Sequence, residues 1–264
     1  MGEWTAILLA GQRPGENDFA AAYGLTAKAL IPVAGEAMLS RVARTLLACP
    51  TVGRVVVLAQ APEALFTGDA AWLRDEPRIG AAAGGEGISA SIAAIAGSDA
   101  APYPLLVTTA DHPLLRPEMV EAVIAGSAGS DAAFALVERK VVEQVHPETK
   151  RTWIKFSDGH YTGANLFALA TPASGRAVDF WSRVERDRKK ALKLLTFFGP
   201  AIFLRGLTRT ISLDGAVAKA SAKLGLRVKA VKLPFPEAAI DVDKPADLEL
   251  AERIFAGHKK TAEA

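Results

Sequence analysis

Thr5-Ala-Ile-Leu-Leu-Ala10-Gly11-Gln12-Arg13-Pro14-Gly15 stands near the start of the chain, and Lys28-Ala-Leu-Ile-Pro-Val-Ala-Gly35 follows after a polar stretch. The first segment reads as a short apolar strand, Thr5 to Ala10, that runs into glycines. Glycines at the mouth of a strand let backbone N–H groups approach phosphate oxygens closely and adopt left-handed conformations at no steric cost. Arg13 offers a planar fork of donors suited to phosphate, and Lys28 a compact charge on a flexible stem. The pattern predicts a triphosphate cradle with Lys28 and Arg13 as its cations, against the simpler reading of a glycine turn beside a surface lysine. No Gly-Lys-Ser/Thr follows the glycines and the spacing is not GxGxxG, which points away from kinases and dehydrogenases.

The chain has 264 residues, half of them apolar and 23% charged, enough for one substantial domain (1–264) with a large core. The formal net charge is only +2, so bulk nucleic-acid binding is not expected. A single cysteine, Cys49, excludes an internal disulfide framework and fits a reducing compartment, most simply the cytoplasm. Met1-Gly2-Glu3-Trp4 carries no basic leader pattern, and no run of about 18 apolar residues is present to span a bilayer.

Strand-like and helix-like stretches alternate through the first half. Strands are expected at 5–10, 54–60 and 105–109, and helices at 36–49, 88–96 and 117–125, with Gly80 to Gly87 as a binding loop. This alternation predicts an α/β fold, a Rossmann-like and mainly parallel sheet sandwiched by helices. In the second half, strands are expected at 131–138, 152–156, 164–169 and 227–233, and a closing helix at 245–256. Residues 176–225 read as a helical insertion that combines basic residues with the apolar run Leu194 to Leu204.

Two further segments carry chemistry. Pro104-Leu-Leu-Val-Thr-Thr-Ala-Asp111-His-Pro113 is a buried-type strand ending in an aspartate. A carboxylate so placed suits Mg²⁺, which takes one or two carboxylates together with phosphate oxygens and water; the alternative is a cap on the next helix. Ala239-Ile-Asp241-Val-Asp243-Lys-Pro245 sets two carboxylates two residues apart. In an extended segment they point the same way and share a cation, or one holds the other's water ligand, while Asp243 is also placed to cap a helix that begins at Pro245.

These elements, in this order, resemble the GT-A-like (MobA-like) nucleotidyltransferases, a superfamily that includes molybdenum cofactor guanylyltransferase-like enzymes and methylerythritol cytidylyltransferases. The resemblance covers most of the chain. It implies that Ala10, Gly11, Arg13, Gly15 and Lys28 hold the triphosphate and that Asp111 and Asp243 hold Mg²⁺. Gly84-Gly85-Glu-Gly-Ile-Ser-Ala-Ser91 resembles the segment with which methylerythritol cytidylyltransferases hold cytosine, which implies nucleotide contacts from Gly84, Gly85 and Ser91 and a lean toward CTP. As a plain loop the same stretch would use Ser89 only to cap a helix. Tyr161-Thr-Gly163-Ala-Asn165 is similar to segments that contact the acceptor, which implies that role for Gly163 and Asn165. The chain departs from the family pattern at Gln12, where a second glycine is usual, in the longer stretch before Lys28, and at Ile88, where the cytidylyltransferases carry an arginine.

The implied reaction is Mg²⁺-dependent transfer of a nucleotidyl group from a nucleoside triphosphate to a phosphorylated acceptor, with release of pyrophosphate. The basic and apolar stretch around Arg183 to Arg209 leaves three readings open: a lipid phosphate acceptor at a peripheral membrane contact, an ordinary buried helix pair, or a homodimer interface. The alternatives in function are a guanylyltransferase acting on a molybdenum or corrinoid cofactor precursor, a nucleotide-sugar glycosyltransferase, and a non-catalytic nucleotide-binding regulator.

Overall fold

The computed structural model describes residues 3–12, 17–85, 87–185 and 210–262. Arg13, Gly15 and the apolar run 194–204 lie outside the described residues. In chain order the strands are β1 (Trp4–Leu9), β2 (Pro32–Val33), β3 (Glu36–Ala37), β4 (Val52–Ala59), β5 (Ile79–Ala83), β6 (Leu105–Thr109), β7 (Ala132–Glu138), β8 (Ile154–Phe156), β9 (Gly159–Leu169) and β10 (Val228–Leu233). The main helices are α1 (Asn17–Ala21), α2 (Met38–Ala48), α3 (Ile88–Ile95), α4 (Pro117–Gly126), α5 (Arg139–Val145), α6 (Gly175–Glu185), α7 (Leu213–Leu224) and α8 (Pro245–Ala262).

The large sheet runs β10-β7-β9-β6-β1-β4-β5, with β8 paired to β9. Along this path β9 alone runs against its neighbours, pairing antiparallel with both β6 and β7; the other pairings are parallel. Central parallel strands are covered on both faces, and their sequences are accordingly almost wholly apolar, WTAILL in β1 and LLVTT in β6. Alternate residues then go to opposite layers. Ala6, Leu8, Val55, Val57 and Leu106 join the core beneath α2 and α4, while Ile7, Val56, Leu58, Leu105 and Val107 join the one that includes Ile92 of α3 and Val178 of α6. In α2 the buried positions Met38, Leu39, Val42, Ala43 and Leu46 recur at helical spacing, so one stripe faces the sheet.

The chain leaves β1 for β4 and β5 on one side and returns to β6 on the other. Strand order therefore reverses at β1, and a crevice opens beyond the carboxyl ends of β1, β4 and β6, where ligands of open α/β sheets bind.

Several details depart from the sequence expectation. The expected helix at 36–49 begins at Met38, because Glu36–Ala37 instead closes a two-residue hairpin with Pro32–Val33. Its turn residues Ala34 (φ 51°) and Gly35 (φ 81°) are both left-handed, as a hairpin turn of matching twist requires. The Gly80 to Gly87 stretch is not all loop: Ile79–Ala83 is the edge strand β5, paired parallel with β4. Of the stretch 176–225, expected to be helical, α6 and α7 are helices, and residues 186–209 lie outside the described residues.

A third apolar cluster fixes the geometry of the crevice. Ile31, Val33 and Met38 pack with Leu114, with Ile240 and Val242 of the late loop, and with Leu248, Leu250, Ala251 and Ile254 of α8. Burying each such side chain contributes roughly 1.5–3 kcal/mol. The cluster therefore binds the segment after Lys28 to the segment around Asp241 and Asp243, which lie more than 200 residues away in the chain. The Ala34 N–H donates to the Glu252 carboxylate of α8 at 2.8 Å, a second tie between the same parts.

Candidate active site

An open cleft of about 1440 Å³ lies at the carboxyl edge of the sheet. Ala10 and Gly11 follow β1, Gln60 follows β4, Gly84 and Gly85 follow β5, and Asp111 follows β6; all of them line it. The parallel arrangement of these strands is what collects their ends on one rim. Lys28, Ser91, Asn165, Asp241 and Asp243 complete the wall.

Lys28 opens a one-turn 3₁₀ helix, Lys28–Leu30. Its Nζ donates to Asp111 Oδ2 at 2.6 Å and to Asp243 Oδ1 at 2.7 Å, so the three residues meet at one point. Burial works against the ammonium, but Asp111 and Asp243 more than offset it; the Lys28 pKa is raised and the group stays charged. The Val242 N–H donates to the Asp111 carbonyl at 2.8 Å, which places Asp243 beside Asp111 through the backbone itself.

The two late aspartates part company. Asp243 turns to Lys28, whereas Asp241 forms an ion pair with Arg151 and accepts from Asn165 Nδ2 at 3.1 Å. The same guanidinium also donates to the Asp241 carbonyl at 3.2 Å. Burial holds the Asp241 carboxyl above the usual carboxylate range; Arg151 opposes this, and the nearby Asp243 and Asp111 add to it. Asn165 lies where the β7–β9 register shifts, and its φ of 49° is left-handed. Asparagine tolerates this conformation better than most residues, and here it turns the amide toward the cleft wall. Gly163 pairs with Leu136 and is not part of that wall among the described residues.

On the far side, Gly84 N–H donates to the Ala59 carbonyl at 2.7 Å, and Gly87, with φ 91°, leads into α3. Ser91 Oγ donates to Gly87 O at 2.8 Å, with Gly85 O at 3.3 Å, so the buried hydroxyl braces the turn. A Cβ on Gly84 would come within 2.9 Å of that hydroxyl, whereas one on Gly85 would meet nothing within 4 Å.

The residues fit a hard divalent cation. Asp111 Oδ1 is buried and accepts no hydrogen bond among the described residues, and Asp243 offers an exposed carboxylate beside it. No group of three or more His, Cys, Asp or Glu able to hold a metal occurs among the described residues. Two carboxylates alone are what Mg²⁺ requires when substrate phosphates supply further oxygens.

Two participants escaped the sequence reading. Arg151 lies in a loop with no motif around it, and Gln60 is one glutamine after a strand; only the fold brings Gln60 to the cleft and Arg151 to Asp241 of its wall. His112, next to Asp111 in the chain, is fully buried, and burial lowers its pKa to about 4.

Comparison with known proteins agrees with this architecture. A structure described as a hypothetical transferase from Thermus thermophilus is 28% identical, with a TM-score of 0.76 over 93% of this chain and 99% of that one. A 4-diphosphocytidyl-2C-methyl-D-erythritol synthase from Anaerococcus prevotii superposes with a TM-score of 0.62 at 13% identity, covering 97% of this chain and 96% of that one. A CMP:2-keto-3-deoxy-manno-octonic acid synthetase complexed with CTP gives 0.58 at 14% identity, covering 98% and 100%. At such identities the last two speak for the fold alone. None of the curated proteins matches the sequence. The model of the MobA-like NTP transferase domain matches residues 6–170, from β1 to just past the end of β9. With well over half of its length inside that match, the chain belongs to the MobA-like NTP transferase domain family and is a nucleotidyltransferase enzyme.

Proposed function

We propose that the enzyme transfers a nucleoside monophosphate from a nucleoside triphosphate, CTP by preference, to a phosphorylated acceptor and releases pyrophosphate. The observation that carries this reading is the convergence of Lys28 with Asp111 and Asp243 at the open edge of the glycine loop. An oxygen of the acceptor phosphate attacks the α-phosphorus, a new P–O bond forms, and the bond from the α-phosphorus to the bridging oxygen breaks in line. The acceptor oxygen is already anionic, so no general base is required, and the task of the protein is positioning and charge stabilisation. Lys28, with Arg13, holds charge on the phosphates; Gly11 and Ala10 allow them close approach; Gly84, Gly85 and Ser91 face the base; and Asn165, oriented by Asp241, faces the acceptor. Asp111 and Asp243 would hold Mg²⁺, which when bound neutralises charge on phosphate oxygens.

The cleft itself requires such neutralisation. Asp18, Asp111, Asp241 and Asp243 line it against the single described cation Lys28, so a polyanionic substrate without a counter-ion would be repelled. A pyrophosphate-release screen of CTP, GTP, UTP and ATP against phosphorylated sugars, polyols and lipids tests the reading. Magnesium-dependent release with CTP is expected. Release with GTP alone moves the assignment to a guanylyltransferase, and binding without any release moves it to a regulator.

A further inference from the structure

The loop after β1 is held by a side chain from the neighbouring strand end. Gln60 stands one residue beyond β4; its Oε1 accepts from the Gln12 N–H at 3.1 Å, and its Nε2 donates to the Gln12 carbonyl at 2.9 Å. One amide thereby saturates both backbone groups of Gln12, as the next residue of a strand would. Gln12 carries the link onward, its Nε2 donating to the Thr26 carbonyl at 3.0 Å, two residues before Lys28. Gly11 sits against the same amide, since a Cβ there would come within 3.1 Å of Gln60 Oε1. All three hydrogen bonds are exposed, so water would replace them at little cost to the fold. What they do instead is fix geometry.

We infer that Gln60 and Gln12 are positioning residues, a two-amide brace that sets the Gly11 backbone at a constant distance from Lys28. The inference rests on the triphosphate reading of this cleft. The brace joins the two limbs that the substrate phosphates would bridge, the glycine loop and the 3₁₀ turn bearing Lys28. It also consumes the Gln12 N–H, so in this chain the phosphates depend on Gly11 for a backbone donor from that pair. A loop held in its bound shape before substrate arrives has less ordering to do on binding.

Gln60→Met keeps the side-chain length and removes both hydrogen bonds. In the nucleotide-free protein, amide exchange read by mass spectrometry is expected to quicken about tenfold in peptides covering 9–12 and 25–30 and to stay unchanged in α2 and α4. With Mg·CTP, and with the other three triphosphates in parallel, KM is expected to rise about tenfold while kcat stays within about threefold, the pattern for contacts equal in ground and transition states. Gln60→Glu retains an acceptor for the Gln12 N–H and should exchange at an intermediate rate. Gln12→Leu loses only the Thr26 bond and should loosen 25–30 alone, which keeps the brace testable if Gln60→Met folds poorly. Unchanged exchange in both segments overturns the brace, as does a fall in kcat at constant KM. If the wild type turns over no triphosphate, the proposed function fails while the exchange result still decides the brace.

Discussion

Lys28 Nζ lies 2.6 Å from Asp111 Oδ2, an ion pair closed by residues 83 positions apart. The ammonium is shared with Asp243, so one side chain ties the strand-end carboxylate to the late loop. On the proposed function, removing it takes away a preorganised positive charge from the substrate phosphates. Lys28→Ala is expected to lower kcat/KM by a factor corresponding to about 3 kcal/mol. Steady-state kinetics on the best triphosphate decides this, and near-normal turnover would sink the assignment.

The same geometry makes a prediction for metal affinity. The ammonium occupies oxygens that a divalent cation would use, so the two compete. In Lys28→Met without nucleotide, Mn²⁺ titrated calorimetrically or by electron spin resonance should bind several-fold more tightly than to the wild type. Equal or weaker binding would mean that Asp111 and Asp243 do not form the metal site.

Arg151 and Asp241 form a partly buried pair beside two further carboxylates. Truncating one partner leaves an uncompensated charge, and such losses run to about 3–5 kcal/mol. Arg151→Met should therefore lose roughly 3 kcal/mol in a urea melt. Asp241→Asn in the Arg151→Met background should recover part of it, and strictly additive losses would argue against the pairing.

Glycines 84 and 85 are adjacent and should behave differently. Gly84→Ala drives a methyl into Ser91 Oγ and Cβ, at 2.9 and 3.2 Å, and should cost about 1–3 kcal/mol and weaken nucleotide binding. Gly85→Ala meets open space and should stay within about 0.5 kcal/mol. Paired thermal melts and binding titrations separate the two.

His112 supplies a pH dependence. Burial lowers its pKa to about 4 from the ordinary 6.5; Asp111 and the nearby Glu237 backbone pull upward, and Arg151 adds to the fall. Between these values the unfolded chain binds the proton and the folded one does not. Stability is therefore complete above about pH 6.5 and falls as pH drops toward 4, by roughly 3 kcal/mol in all. Denaturant melts from pH 7.5 to 4.5 should show this slope in the wild type and a shallower one in His112→Gln.

Strands with strong apolar runs were legible in sequence, and 105–109 is observed at the expected bounds. Asp111 was legible for the same reason, since a carboxylate that ends such a run has one place to go. β5 was not, because IGAAA has little β propensity and survives as an edge strand only through its pairing with β4. α5 escaped as well, since its valines at 141 and 142 weaken the helical signal. At the site, Asp241 and Asp243 look like one pair because they are two apart, but in the fold they pair with different cations, Arg151 and Lys28. Nothing local marks Arg151 or Gln60, whose roles come from contacts 90 and 48 residues distant.

The Val242–Asp111 hydrogen bond has a consequence for synthesis. A ribosome that has released residues 6–170 has delivered every strand from β1 to β9, yet Lys28 then has one carboxylate partner instead of two. The second arrives only when the loop at 240–243 folds back across the finished sheet and α8 seals it. A nascent chain is thus held short of competence until residues 240–254 emerge, and a product truncated before them would be unable to assemble the charged centre.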